Sequence, residues 1–207
     1  MDRLSDLQRA RPARPAALLL DVMSTLVHDP FHVEVPAFLG LTLEELLEAK
    51  HPTLWAEFER AEIDERELFA RFFRDGRPFD GPGMKRHMLQ HYRLLPGIED
   101  LLEDLSAAGV AMHALSNYPD WYHAIEERTQ LSRYVAWSFV SCDTHLRKPD
   151  PEAYHHATTT LGLAPEECLF IDDQERNVRA AQAVGMQAHL YQGAAHLRRE
   201  LRARGLL

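Results

Sequence analysis

Ala16-Ala17-Leu18-Leu19-Leu20-Asp21-Val22-Met23-Ser24-Thr25 is the stretch on which the reading of this chain turns. A short, unbroken apolar run reads as a strand buried on both faces, the kind found in parallel sheets. Asp21 closes the run, so its carboxylate stands at the carboxyl end of the strand, where open α/β sheets bind their ligands. A carboxylate in that position can serve as a nucleophile toward phosphorus or carbon.

Further apolar runs repeat the pattern along the chain. Ala16–Val22, Val110–Leu115, Trp137–Ser141, Cys168–Ile171 and Gln187–Tyr191 all read as buried strands. Helical patterns separate the later ones. Ile98, Leu101, Leu102 and Leu105 share one helix face, and Gly109 ends that helix. Asp120–Leu131, Pro151–Leu161, Gln174–Val184 and Ala194–Arg204 supply the other crossovers, with Pro151 in a first turn and Gly185 at a helix end. Strands alternating with helices predict an α/β fold, a Rossmann-like doubly wound parallel sheet.

Residues 29–93 interrupt the alternation. Thr42 with Glu45 forms a capping box for a helix through Ala49, and Pro52–Arg60 reads as a second helix. Asp64 with Glu67 opens a third, with Leu68, Phe69, Phe72 and Phe73 as its apolar stripe. Met84–Tyr92 makes a fourth after the turn Asp80-Gly81-Pro82-Gly83. The expected organisation is an α/β core of residues 1–28 and 94–207 with an inserted helical cap at 29–93. An insertion placed just after Asp21 would lie over it as a lid.

Composition bounds the function. The chain has 207 residues, 45% of them hydrophobic and 27% charged, which suits a soluble globular domain. Its net charge of −9 speaks against nonspecific nucleic-acid binding, so no nucleic-acid partner is expected. No stretch approaches the ~20 apolar residues needed to span a bilayer, so no membrane partner is expected either. Cys142 and Cys168 stand far apart in apolar surroundings, which fits a reducing cytoplasm better than a disulfide framework. Residues 1–15 carry Arg3, Arg9, Arg11 and Arg14 without the apolar core of a signal peptide. They read as a frayed terminus, with a transit-peptide remnant as the alternative.

Polar residues gather at the strand ends. Asp21 and Thr25 follow the first strand, Ser116-Asn117 the second, and Asp172-Asp173 the fourth, while Lys148 sits in Arg147-Lys148-Pro149-Asp150-Pro151. Each has an ordinary reading as a turn former, a helix cap or a solvated loop residue. Adjacent acids, however, repel unless exposed, protonated or shared with a cation. Acid, hydroxyl, lysine and acid pair, in that order on successive units, form a joint pattern.

In that order the chain resembles the haloacid dehalogenase (HAD) superfamily, whose motifs here read Asp21-Val22-Met23-Ser24-Thr25, Leu115-Ser116-Asn117, Arg147-Lys148-Pro149 and Asp172-Asp173. The resemblance implies a HAD core, a small helical cap and a Mg²⁺-dependent phosphomonoester hydrolase acting through an aspartyl-phosphate. By that resemblance Asp21 is nucleophile and metal ligand, and the backbone carbonyl of Met23 is a second ligand. Asp173 binds the metal directly, and Asp172 acts through water or a hydrogen bond. Ser116 holds a phosphoryl oxygen, Lys148 neutralises Asp21 and the transferring group, Thr25 orients Asp21, and Asn177 braces the acid loop. The substrate is a small phosphorylated molecule.

Met23 stands where the family's phosphatases carry the acid that protonates the leaving group and activates water. Such acid–base help is worth roughly 10²–10⁴ in rate. Three readings therefore stand open. The first is a phosphatase with another proton carrier, among them Ser24, His28 or His32. The second is a 2-haloacid dehalogenase-type hydrolase, against which the intact Asp172-Asp173 pair speaks. The third is a degenerate member that binds a phosphorylated ligand without turnover. Asp29-Pro30-Phe31, Val35-Pro36-Ala37-Phe38, Lys50-His51-Pro52 and Ser116-Asn117-Tyr118-Pro119-Asp120-Trp121-Tyr122 resemble the plant chloroplast flavin mononucleotide (FMN) hydrolases, although Ser24 departs from them. Asn117, Tyr118 and Trp121, with Trp55 from the cap, are the candidate substrate-binding residues. The alternative for the aromatics is that they only pack the cap against the core.

Overall fold

The computed structural model describes residues 14–207. Most of the arginine-bearing stretch 1–15 therefore lies outside the described residues. Five parallel strands form one sheet: β1 (Ala17–Leu20), β2 (Ala111–Ser116), β3 (Ala136–Val140), β4 (Cys168–Asp172) and β5 (Gln187–Leu190). Their order across the sheet is β3-β2-β1-β4-β5, so β1 is central and the chain reverses direction across the β1/β4 boundary. That boundary is the topological switch point, and its carboxyl end is where a crevice opens.

Register then decides which side chains meet there. Ala17 pairs with Cys168 and Leu20 with Ile171. The amide of Asp21 continues the ladder to the carbonyl of Ile171 at 2.9 Å. Asp21 and Asp172 consequently leave adjacent strands side by side.

The helices, in chain order, are α1 (Glu34–Leu39), α2 (Leu43–Ala49), α3 (Leu54–Glu59), α4 (Glu65–Arg71), α5 (Gly81–Gln90), α6 (Ile98–Ala107), α7 (Tyr122–Thr129), α8 (Ser141–Thr144), α9 (Pro151–Leu161), α10 (Glu175–Ala183) and α11 (Ala194–Ala203). Alternation along β1 sends Leu18 and Leu20 to one face and Leu19 to the other. The first face packs with Ile98, Leu101 and Leu105 of α6 and with Leu197 and Leu201 of α11. The second packs with Tyr154 and Ala157 of α9 and Ala181 of α10. Both faces of the sheet are thus covered, which is why its strands read as continuous apolar runs.

α1–α5 fall between β1 and α6. Leu46, Leu54, Phe58, Leu68, Phe72, Phe73, Met84 and Met88 are buried there and are continuous with the core under α6. The Thr42–Glu45 capping box forms as the sequence predicts, and Asp64 accepts from the amide of Glu67 at 2.7 Å. Two expectations are corrected. The segment Asp80-Gly81-Pro82-Gly83 is the opening of α5 rather than a separate turn, because Asp80 accepts from the Gly83 amide at 2.8 Å and Pro82 suits a first helical turn. Gly81 is needed there, since a Cβ would run into the ring of Phe69. Phe72 and Phe73 lie beyond the end of α4, where the amide of His51 donates to the carbonyl of Phe72 at 2.7 Å.

Candidate active site

Between β1 and residue 28 the chain makes a tight turn. The amides of Leu26 and Val27 both donate to the carbonyl of Val22, at 2.9 and 2.8 Å, and Ser24 adopts φ of 61°. The turn closes on itself through a bridge between Met23 and Val27, and Val27 also pairs with Leu94. Asp21 is thereby held under the turn, 7% exposed.

Its carboxylate is fixed from two sides. Lys148 donates to Oδ1 at 2.7 Å, and Thr25 donates to Oδ2 at 3.0 Å. The same Lys148 ammonium donates to Asp172 Oδ2 at 2.7 Å, and the lysine is only 1% exposed. Burial disfavours its charge, but Asp21 and Asp172 outweigh that effect and hold the ammonium above its usual range. Asp21 is raised above the ordinary carboxylate range, first by burial and then by the nearby acids Asp172 and Asp173, while Lys148 pulls it down.

The loop carrying Lys148 is clamped by Asn117. The side-chain amide donates to the Lys148 carbonyl and accepts from the Lys148 amide, both at 2.8 Å. Asp172 is fully buried and accepts from the Gln174 amide at 2.7 Å and from Asn177 at 3.1 Å to each oxygen. Asp21, Asp172 and Asp173 offer oxygens that all lie within 4.8 Å of one another. Burial and the neighbouring Asp172 raise Asp173 above its usual range, and its Oδ1 is buried without a hydrogen-bond partner. An all-oxygen donor set with an orphaned carboxylate oxygen fits a hard divalent cation.

A cavity of about 280 Å³ stands over this cluster, between the strand ends and α2–α4. Asp21, Met23, Asn117, Lys148 and Asp173 floor it, and Phe31, Trp55 and Tyr118 line it from above and beside. Trp55 sits 6.5 Å from Phe31 and 6.3 Å from Tyr118, centroid to centroid. Burial pushes the Tyr118 hydroxyl well above its usual range, and it bonds Tyr92 at 2.6 Å.

The sequence-predicted residues divide accordingly. Asp21, Thr25, Lys148, Asp172 and Asp173 come together, with Met23, Asn117, Tyr118 and Trp55 around the cavity. Ser116 ends β2, is 2% exposed, and is not among the residues that line the cavity. Trp121 is not among them either. It packs 5.3 Å from Phe58 and 5.7 Å from Trp55, and its indole donates to Glu65 at 2.8 Å. Trp121 therefore occupies the seam between the inserted helices and the core.

Other lining residues carried no role in the sequence reading. Glu59, at the end of α3, receives the indole of Trp55 at 2.9 Å and pairs with Arg147. Asp29 accepts from the Phe31 amide at 2.9 Å, capping the turn Pro30–His32. Asp29-Pro30 is a recognisable turn opening in sequence, whereas nothing local announces Glu59.

Fold and site together place a buried, lysine-anchored carboxylate beside an acid pair at the switch point of a parallel sheet. The chain matches the family of haloacid dehalogenase-like hydrolases over residues 15–185 and belongs to it. It is 45% identical over 197 residues to flavin mononucleotide hydrolase 1 of Arabidopsis thaliana, a chloroplast protein, across 95% of this chain and 80% of that one. A sesquiterpene phosphatase of Aspergillus oryzae is 29% identical over 154 residues, 70% of this chain and 76% of its own. Among solved structures, a HAD family enzyme of Bacteroides thetaiotaomicron in complex with magnesium and inorganic phosphate shares the fold. It superposes with a TM-score of 0.68 at 21% identity, over 88% of this chain and 98% of that one. Among the described residues no helix is long and apolar enough to cross a membrane.

Proposed function

We propose that this hydrolase cleaves phosphomonoesters through an aspartyl-phosphate on Asp21, with Mg²⁺ as cofactor and FMN as substrate. The observation that carries the reading is the placement of Asp21: anchored by Lys148 and Thr25, beside an acid pair, on the floor of a cavity. Asp21 Oδ attacks phosphorus while the ester oxygen departs, and water then displaces the phosphoryl group from Asp21. Lys148 offsets the charge that builds when an anionic ester approaches an anionic nucleophile. Thr25 holds the attacking carboxylate in one orientation.

Asp21, the Met23 backbone carbonyl and Asp173 would hold Mg²⁺, with Asp172 contributing through water or its hydrogen bonds. When bound, the ion neutralises phosphoryl oxygens and aligns the group for in-line displacement. Ser116 is assigned to a phosphoryl oxygen on family pattern, and Asn117 to fixing the Lys148 loop.

We divide the chain into a core of residues 1–28 and 94–207 and a cap of 29–93. FMN is favoured by the similarity to the Arabidopsis enzyme and by the aromatic wall of Phe31, Trp55 and Tyr118. A planar ring stacks on such side chains, at about 1–3 kcal/mol per ring in nucleic-acid complexes. Cys142 and Cys168 are both free and buried, which supports a reducing compartment such as the cytoplasm.

The test is a phosphate-release assay with FMN, sugar phosphates and an aryl phosphate, paired with Mg²⁺ titration calorimetry. Asp21→Asn should abolish release, and Asp173→Ala should weaken Mg²⁺ binding and turnover together. Unchanged Mg²⁺ affinity and turnover in Asp173→Ala would falsify the reading. Halide release from a 2-haloacid without added metal would replace it with dehalogenation.

A further inference from the structure

Position 23 holds a thioether where this hydrolase reading calls for a proton carrier, so another group in the same cavity has to supply the proton. Most candidates on the cavity wall are already engaged. Lys148 is spent between two carboxylates, Asp21 is the nucleophile, and Asp173 faces the acid cluster. Glu59 is held by Arg147 and by the indole of Trp55. The Ser24 hydroxyl does not release a proton near neutral pH.

Asp29 differs from these. The turn that positions Asp21 folds back so that Val27 pairs with Met23, and two residues later Asp29 enters the cavity. Its side chain is 20% exposed. One oxygen is fixed by the Phe31 amide at 2.9 Å, while the other lies 3.4 Å from His32 Nε2. Burial raises this carboxyl above its ordinary range, against the pull of the Phe31 amide, His32 and His28. A carboxyl whose acid form is favoured by burial can donate a proton and, once ionised, take one back.

We propose that Asp29 carries the proton that Met23 cannot. In the first step the Asp29 carboxylic acid gives its proton to the ester oxygen as the P–O bond breaks, and Asp21 forms the new bond to phosphorus. The alcohol leaves neutral. In the second step the Asp29 carboxylate takes a proton from the water that attacks phosphorus. Inorganic phosphate leaves, and both aspartates return to their starting states. This inference rests on the phosphohydrolase reading and deepens it.

The test is Asp29→Asn, assayed with saturating Mg²⁺ on FMN and on p-nitrophenyl phosphate. Asparagine keeps the shape, and its side-chain oxygen can still accept from the Phe31 amide, so the turn is retained. FMN hydrolysis should fall by roughly 10²–10³, within the range of general acid–base catalysis. With the nitrophenyl ester, whose leaving group needs no proton, a stoichiometric burst of nitrophenol should appear, followed by slow turnover. Intact mass spectrometry should then find the phosphoryl group accumulated on Asp21. Adding Met23→Asp to Asp29→Asn should restore turnover on FMN. His32→Gln and His51→Gln should lower FMN turnover far less than Asp29→Asn does.

Full activity in folded Asp29→Asn overturns the proposal, as does the burst pattern arising in a histidine variant instead. If Asp29→Asn does not fold, the wild type still decides the matter. A steep fall in kcat/KM from aryl to alkyl phosphates would mean that no proton is delivered, and would sink it. Failure of the parent reading looks different, because the wild type itself would then release no phosphate from any ester.

Discussion

Replacing Lys148 with methionine should cost this protein much of its stability, because the lysine is the counter-charge for two buried carboxylates. Lys148 is 1% exposed and lies 2.7 Å from both Asp21 and Asp172. Methionine fills similar volume but leaves the acids facing each other. Their oxygens fall within 4.8 Å, so their repulsion is at least about 3.5 kcal/mol at an effective dielectric of 20. Removing one partner of a buried ion pair generally costs about 3–5 kcal/mol, the same order. Against a typical total of about 5–15 kcal/mol that is a large fraction. At about 2–4 °C per kcal/mol for a chain of this size, Tm should drop by roughly 6–20 °C.

The assay is urea unfolding in the presence of a chelator, so that no metal substitutes for the lost charge. Asp172→Asn supplies the control. In the wild type it removes an acceptor for Lys148, Gln174 and Asn177, and should destabilise. In Lys148→Met it removes a repelling charge, and should stabilise. A Lys148→Met loss below about 1 kcal/mol, or an Asp172→Asn effect of the same sign in both backgrounds, would refute the reasoning.

Two further outcomes are expected. Thr25→Val keeps the shape but loses the 3.0 Å bond to Asp21, so it should cost about 1.5–3 kcal/mol, the range for bonds to charged groups. It should also lower kcat with little change in KM; unchanged kcat would mean that Thr25 does not orient the nucleophile. Burial holds His113 below its ordinary value of 6.5, so its contribution is present above pH 6.5 and is lost as pH falls through 6.5 toward the folded value. Urea midpoints at about pH 7.5 and 5.5, chosen to bracket the ordinary histidine value, should therefore converge in His113→Gln relative to wild type. Parallel lines for the two proteins would refute the assignment.

What the sequence made legible follows from where each signal is local. β1 and β4 are buried on both faces and so read as unbroken apolar runs, and capping boxes lie within a few residues. Once β1 and β4 are neighbours, register alone brings Asp21 beside Asp172. α1 was not anticipated, since Pro36 interrupts its helical pattern and Val33 at its N-cap makes no side-chain bond to announce it. α8 is a single turn of 4 residues and too short to show periodicity. In the site, the Trp55–Glu59 pair is an ordinary i,i+4 helix contact in sequence, and what ties Glu59 to the core lies far along the chain: Arg147 is 88 residues away and Ser141 is 82. Tyr118 and Trp121 are both buried, and it is position that separates them. Tyr118 reaches the cavity, and Trp121 packs against Trp55 and Phe58 of α3.

The seam between the inserted helices and the core also bears on how the charges are held. The Ser141 hydroxyl donates to the Glu59 carbonyl at 2.6 Å and accepts from the Tyr118 amide at 3.0 Å. His145 bonds the Arg60 carbonyl at 2.8 Å, and the Glu59 carboxylate pairs with Arg147. The contacts to Glu59 and Arg60 join the end of α3 to the segment that leads into Lys148. The segment's far end is clamped by Asn117 from β2's side of the sheet. Lys148 is thus positioned jointly by the inserted helices and by the core, although its own partners, Asp21 and Asp172, belong to the core alone. A displacement of α3 would strain the Arg147 pair one residue from the lysine that anchors the nucleophile. The polar contacts at the end of α3 therefore make the position of that cavity wall and the placement of the counter-charge two consequences of one arrangement, a coupling that the aromatic packing of Trp121 alone would not impose.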